Sequence, residues 1–245
     1  MKVTLFTSNN HRHNYFINLL SNFCDELWVI QECKTLFTGK NDEKYENKNI
    51  IEEYFNKVLE AQNKIFKKEF VNKNNKNIKT LPILNGELNK LPLSYLDDFL
   101  KSDIYVVFGS SYIKGELVDF LVSQKAINIH AGVSPYYRGT DCNFWALYDG
   151  NFDKVGATIH LLSSKLDGGK IIEYGYPNKK FKNPFDYSMS VTKNVVAKLI
   201  KVLKRKKINF WQLKKQNKKN EVRLSTKKEF SEAIVKKFFN KFRIK

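Results

Sequence analysis

Residues 126–139 read AINIHAGVSPYYRG, and a second piece downstream, residues 166–172, reads LDGGKII. The first begins as a short apolar strand and reaches the polar pair Asn128 and His130. It then runs into a Ser-Pro-Tyr-Tyr-Arg-Gly loop. Two residues apart on a strand, Asn128 and His130 point to the same face. An amide beside an imidazole can hold and polarise a carbonyl while moving a proton. Asp167 would supply the carboxylate that the pair lacks. Taken singly, each piece has a plainer reading: Asn-x-His as a structural strand end, Asp167-Gly168-Gly169 as a turn.

Working outward, residues 104–108 (IYVVF) are apolar throughout, as a strand covered on both faces should be. Gly109-Ser110-Ser111 follows at its carboxyl end, and residues 114–123 read as the return helix. Upstream, residues 2–7 read as a buried strand, 14–22 as a helix with Phe16, Leu19, Leu20 and Phe23 inward, and 27–32 as a second strand. This β-α-β opening implies a parallel sheet. Residues 42–72 have a long helical pattern through Tyr54, Val58, Ala61, Ile65 and Glu69. Ser94 is expected to cap a short helix over 95–100. Residues 156–162 and 170–174, joined by SSKLDGG, read as an antiparallel ribbon, with His160 a satisfied packing residue within it. A helix is expected over 188–207, ending in KRKK, and another over 226–241 carrying Phe230, Ile234, Phe238 and Phe242. That apolar stripe should pack on the body or on a second copy of the chain. Truncation after Asn220 should therefore lower solubility or change oligomeric state without removing Asn128, His130 and Asp167. The fold class is α/β: a Rossmann-like, mostly parallel sheet with flanking helices and an added antiparallel ribbon. Residues 1–213 form the expected main domain, and 214–245 a Lys-rich linker with an amphipathic helix.

Composition narrows the function. No run of about eighteen apolar residues is present, so no membrane span is expected, and MKVTLFTSNN turns polar too soon for a secretory signal. Cys24, Cys33 and Cys142 form no CxxC or Cys/His ligand spacing, which suits three reduced thiols in a cytoplasmic protein without a metal. The net charge of +18 leaves nucleic acid, an acidic small substrate or anionic lipid open. It also fits plain Lys/Asn bias, as in NKNNKNIK at 72–79, since arginine, the forked reader of phosphates, is scarce. The loop SNNHRHNY after the first strand has no glycine, which argues against NAD; His11, Arg12 and His13 in it have no assigned role. HExxH, Gly-x-Ser-x-Gly and Walker patterns do not occur.

In combination, Asn-Ile-His, Ser-Pro-Tyr-Tyr-Arg-Gly and Leu-Asp-Gly-Gly-Lys-Ile-Ile resemble the 10-formyltetrahydrofolate-dependent formyltransferases. That family includes methionyl-tRNA, glycinamide ribonucleotide and sugar-nucleotide N-formyltransferases. The likeness covers residues 103–172 well and the β-α-β opening loosely. It implies the formyltransferase fold, a formyl transfer without a metal, and Asn128, His130 and Asp167 as the catalytic trio. It also implies a folate pocket lined by Phe108, Gly109, Ser110, Ser111, Tyr112 and Ile113, with Ser163, Leu166 and Asp167 opposite. Ser134, Tyr137, Arg138 and Gly139 would then meet the acceptor, with Arg138 either shaping that loop or meeting an acidic acceptor group, or else serving as a structural arginine paired locally. A departure lies at Gly132-Val133-Ser134-Pro135, where the family commonly has Leu-Leu-Pro.

The β-rich C-terminal domain of the methionyl-tRNA enzymes has no counterpart in the residues after Lys207. The resemblance therefore leans toward a small amine acceptor, an amino sugar on a nucleotide. A tRNA formyltransferase with a reduced tail and a catalytically silent folate-binding module are the alternatives; a homodimer is also left open. In the implied reaction, Asn128 and protonated His130 donate to the formyl oxygen while Asp167 supports the imidazolium.

Overall fold

The structure, a computed structural model, describes residues 1–34, 48–204 and 212–244. In chain order the elements are β1 (Lys2–Ser8), α1 (His11–Ser21), β2 (Glu26–Cys33), α2 (Lys48–Phe66) and β3 (Ile78–Leu84). They continue with β4 (Ile104–Phe108), α3 (Gly115–Ser123), β5 (Ile127–His130), β6 (Tyr137–Gly139) and α4 (Cys142–Asp149). The last are β7 (Ala157–Leu161), β8 (Ile171–Gly175), α5 (Pro184–Lys204), β9 (Arg223–Ser225) and α6 (Glu232–Phe242). Among the described residues, seven strands form one sheet in the order β3-β2-β1-β4-β5-β7-β8. The first five are parallel; β7 runs antiparallel to β5, and β8 antiparallel to β7. This is the α/β architecture with an added ribbon that the sequence implies.

Period-two alternation in the central strands splits the core. Val3 and Leu5 of β1, with Val106 and Phe108 of β4, join the cluster that includes Phe16 of α1 and Val195 and Leu199 of α5. Phe6, Tyr105 and Val107 face the other way, against Leu117 and Leu121 of α3. Strand order reverses between β1 and β4, since β2 and β3 build outward on one side and β5 on the other. A crevice opens at such a reversal, outside the carboxyl ends of the strands.

Several boundaries differ from expectation. Helix α1 begins at His11, because the Asn10 carbonyl accepts from His13 and Asn14 N–H at 2.8 and 3.0 Å. Its first turn lacks the apolar stripe, so periodicity does not place it. Helix α2 stops at Phe66, where Lys67 takes a positive φ of 55°; residues 42–47 of the expected helix lie outside the described residues. Strand β3 is an addition to the expected elements. It is an edge strand, the position where Pro82 is tolerated. Ser94 caps no helix: residues 93–96 form a 3-10 turn, which the chain closes tightly before entering β4. Helix α5 starts at Pro184, with Asn183 Oδ1 accepting from Phe185 N–H at 2.8 Å. Arg205, Lys206 and Lys207 of the KRKK run lie outside the described residues.

The tail is bound into the body. Phe230, Val235 and Phe238 are buried in the main core, with Ile234 and Phe242 packed beside them. Phe238 stacks on Phe144 of α4 at 4.7 Å. Lys241 Nζ donates to the Leu147 and Tyr148 carbonyls at the end of that helix, at 3.1 and 2.7 Å. Strand β9 pairs in parallel with β6. Phe230 precedes the helix, so its four-residue spacing from Ile234 is not helical in origin.

Candidate active site

A cavity of about 320 Å³ occupies the switch-point crevice. Its lining comes from the ends of β4 and β5, the start of α1, and the loop joining β7 to β8. Asn128 and His130 share one face of β5, as their spacing requires, and both line it. Asp167 comes in from the β7–β8 loop. It has a left-handed backbone (φ 47°), a conformation that Asp visits more readily than most residues.

The three converge. His130 Nδ1 lies 3.3 Å from Asp167 Oδ1, with both side chains less than a tenth exposed. Asp167 Oδ2 accepts from Gly139 N–H at 3.1 Å, which fixes the carboxylate. His130 Nε2 faces the Tyr137 carbonyl at 3.2 Å. Both ring nitrogens thus meet acceptors, and an imidazolium would have both N–H groups partnered.

A Cβ on Gly132 would stand 2.5 Å from His130 Nε2 and 2.6 Å from Cys142 Cβ. Glycine at the departure from Leu-Leu-Pro is what lets this loop pass so close to the imidazole.

The sequence pattern suggests a packing role for His160. It is indeed buried and partnered, yet it belongs to the site. Antiparallel register sets it opposite Asn128. His160 Nδ1 donates to the Leu161 carbonyl at 2.7 Å, so its Nε2 is the acceptor for Asn128 Nδ2–H at 3.1 Å. That bond orients the Asn128 amide with its NH2 toward His160. Burial pushes the His160 imidazole down to about 4, which keeps it neutral near pH 7. The unfolded chain binds a proton below about pH 6.5 that folded His160 refuses. Its stabilising contribution is therefore full above that pH and is lost as pH falls toward 4, on the order of 3 kcal/mol in all. His13, also held down by burial, acts in the same direction. Thermal midpoints should drop between pH 7 and 5, and His160→Gln should flatten that slope; an unchanged slope would remove His160 from the account.

The remaining expected residues separate into two groups. Phe108, Gly109, Ser110, Ser111, Tyr112, Ile113, Ser163, Leu166 and Gly139 line the cavity. Ser134, Tyr137 and Arg138 lie outside its lining, buried and held by the protein. Ser134 N–H donates to Thr158 Oγ1, and Tyr137 OH to Asp149 Oδ2 at 3.0 Å. Arg138 donates to the Leu166 carbonyl and pairs with Glu221 at 2.9 Å.

Nothing in the sequence around Glu32, at the end of β2, marks it as part of the site. Its buried carboxylate accepts from the backbone N–H of Ser111, from Ser111 Oγ at 2.7 Å and from Gly86 N–H at 2.9 Å. It thereby holds the 109–111 segment in shape. Arg12 and His13 also line the cavity, and Arg12 donates to Gln62 Oε1 at 2.5 Å. Among the described residues no group of three His, Cys, Asp or Glu side chains could hold a metal ion. No described helix is long and apolar enough to cross a membrane.

Residues 94–177 match the family model described as formyl transferase. No curated protein sequence matches the chain. Among solved structures, a 4-N formyltransferase from Francisella tularensis superposes with a TM-score of 0.58 at 20% identity, covering 94% of this chain and 77% of that one. A phosphoribosylglycinamide formyltransferase from Anaplasma phagocytophilum gives 0.53 at 17% identity, covering 83% and 84%. An N-formyltransferase from Helicobacter canadensis, solved with folinic acid and dTDP-3-aminofucose, gives 0.52 at 16%, covering 94% and 72%. At such identities the superpositions speak to fold. The formyl transferase match over residues 94–177 and the fold shared along most of the chain together indicate a formyltransferase.

Proposed function

We propose that the chain moves a formyl group from 10-formyltetrahydrofolate to the amine of a nucleotide-linked amino sugar, with Asn128, His130 and Asp167 as the catalytic groups. The observation that carries this is their convergence on one wall of the switch-point cavity, with His130 and Asp167 at 3.3 Å. The rest of the cavity suits a reduced folate. Phe108, Ile113, Val118 and Leu162 give apolar surface for a flat ring, and residues 109–113 offer backbone polar groups beside it. The sugar acceptor is supported by the structures from Francisella and Helicobacter, whose descriptions name 4-N formyl transfer and an aminosugar nucleotide.

The neutral acceptor amine attacks the formyl carbon, and charge develops on the formyl oxygen. Asn128, with one N–H committed to His160, has its other N–H for that oxygen. His130 keeps Asp167 at Nδ1, and donation from Nε2 exchanges the 3.2 Å contact to the Tyr137 carbonyl for the substrate. Collapse breaks the bond from the formyl carbon to the folate nitrogen, which takes up a proton as it leaves, while the amine gives up its proton through a water held by Asp167. Tetrahydrofolate and the formamide are the products.

The test is a mass-spectrometric screen of the chain with 10-formyltetrahydrofolate and a panel of amino-sugar nucleotides. The expected result is a formyl mass increase on at least one member. Formylation of charged initiator tRNA in place of every sugar would move the acceptor to the tRNA class. Failure of 5-formyltetrahydrofolate to bind in calorimetry at near-millimolar ligand would overturn the folate assignment.

A further inference from the structure

The segment after α5 returns to the site. Gln216 Nε2 donates to the Asp167 carbonyl at 2.7 Å and to the Gly169 carbonyl at 2.8 Å. Two residues earlier, the Lys214 carbonyl accepts from Ile171 N–H at 2.9 Å. The Asp167 loop is therefore bonded to the tail at three backbone positions. Gln216 Oε1 is buried without a partner. The amide thus sits there for its two donors, since the flipped orientation would press Oε1 against two carbonyl oxygens.

The same tail grips the other side of the loop. Glu221 pairs with Arg138, whose guanidinium donates to the Leu166 carbonyl one residue before Asp167. The Tyr136 carbonyl accepts from Val222 and Arg223 N–H at 2.9 and 3.0 Å, and β9 then pairs with β6. At Gly139, whose N–H holds the Asp167 carboxylate, a Cβ would stand 2.0 Å from the Ser225 carbonyl, at a φ of 93°. The close passage of the tail is what requires glycine there.

We infer that residues 214–225 form a clasp that fixes the Asp167 carboxylate against His130, with Gln216 as its positioning residue. The inference rests on the formyl-transfer reading for its kinetic consequence. Gln216 is not itself part of the cavity lining; it acts through the Asp167 backbone. A left-handed Asp on a Gly-rich loop has little of its own to hold it, and a displacement near 1 Å at a catalytic group can cost about 10²-fold.

Gln216→Met keeps length and bulk but removes both donors. It should lower kcat about 30- to 100-fold while KM for folate and acceptor stays within about threefold. Hydrogen exchange should quicken in a peptide spanning residues 164–171. Gln216→Lys, which again offers donors to the two carbonyls, should restore kcat to within about fivefold of the parent. A folded Gln216→Met chain with parental kcat, or with parental exchange in that peptide, overturns the inference. So does a loss that Gln216→Lys shares in full. If Gln216→Met does not fold, Gln216→Lys decides alone: near-parental kcat and exchange support the clasp, and a comparable loss removes it. Exchange needs no turnover, so a parent chain that formylates nothing would sink the reaction reading while leaving the clasp testable.

Discussion

Asp167→Asn is expected to lower turnover by about two to four powers of ten, nearly as much as His130→Ala. The amide keeps the shape of the carboxylate, and its oxygen can still accept from Gly139 N–H. Its NH2 then faces His130 Nδ1, a donor against a donor whenever the ring carries its second proton. The cation that should stabilise the developing oxyanion loses its counterion. Asn128→Ala should fall in the same range, because it removes the donor that His160 orients. The losses should not add: a double variant should be little worse than the worse single one, as for groups that act as a unit. Folate binding should survive His130→Ala, since the apolar wall at Phe108 and Ile113 is untouched. Single-turnover rates with calorimetry on each variant check both halves. A folded Asp167→Asn chain with near-parental turnover would reduce Asp-Gly-Gly to a turn, and the mechanism would fall.

Phe238→Ala should be among the most costly substitutions outside the site. The ring is 1% exposed and contacts Phe144, Tyr54 and Phe185 in an aromatic cluster joining α6 to α2, α4 and α5. Removing it should cost about 3–5 kcal/mol, the usual scale for a buried Phe→Ala change. For a chain of this size that is a drop of roughly 6–20 °C in Tm. Calorimetric unfolding would measure it, and a shift under about 2 °C would mean that α6 packs far more loosely than these ring contacts imply. Truncation after Asn220 should go further. It takes away the partner strand of β6 as well as α6, and removes the Phe230 and Phe238 rings that pack on Tyr54, Phe144 and Phe185. Loss of the compact monomer is expected, and a truncated chain of parental stability would contradict the packing. The apolar stripe needs no second copy of the chain to bury it.

Much of the frame is legible in the residue pattern alone. Strand β4 can be read to the residue, because a continuous apolar run ended by Gly109 has few other uses in a short segment. The pairing of β7 with β8 follows from two β-rich runs around Asp-Gly-Gly. Asn128 and His130 share a face because a strand has a period of two, and that holds wherever the strand lies. Helix α4 is not among the elements expected from the sequence, although its ending at Gly150, with φ of 85°, carries a helix-stop signal. The Asn-Pro at 183–184 is a helix-start signal that places α5 four residues before the expected start at 188.

What lies beyond the sequence has a common cause. His160 meets Asn128 only because β5 and β7 pair antiparallel in one register, and a shift by a single residue would turn it to the other face. Glu32 reaches Ser111 across 79 positions, and Gln216 reaches Asp167 across 49. Local periodicity belongs to the chain itself, so spacing settles which residues can share a face, while the grouping of Asn128, His130 and Asp167 is what the resemblance of the motifs implies. Contacts between distant segments depend on how sheet, crossovers and tail pack together, and no residue pattern within either segment announces its partner. The sequence by itself therefore determined the α/β frame and, through its motifs, the proposed grouping of Asn128, His130 and Asp167. Tertiary structure decided the neutral histidine behind Asn128, the carboxylate under the 109–111 segment, and the tail folded back on Asp167.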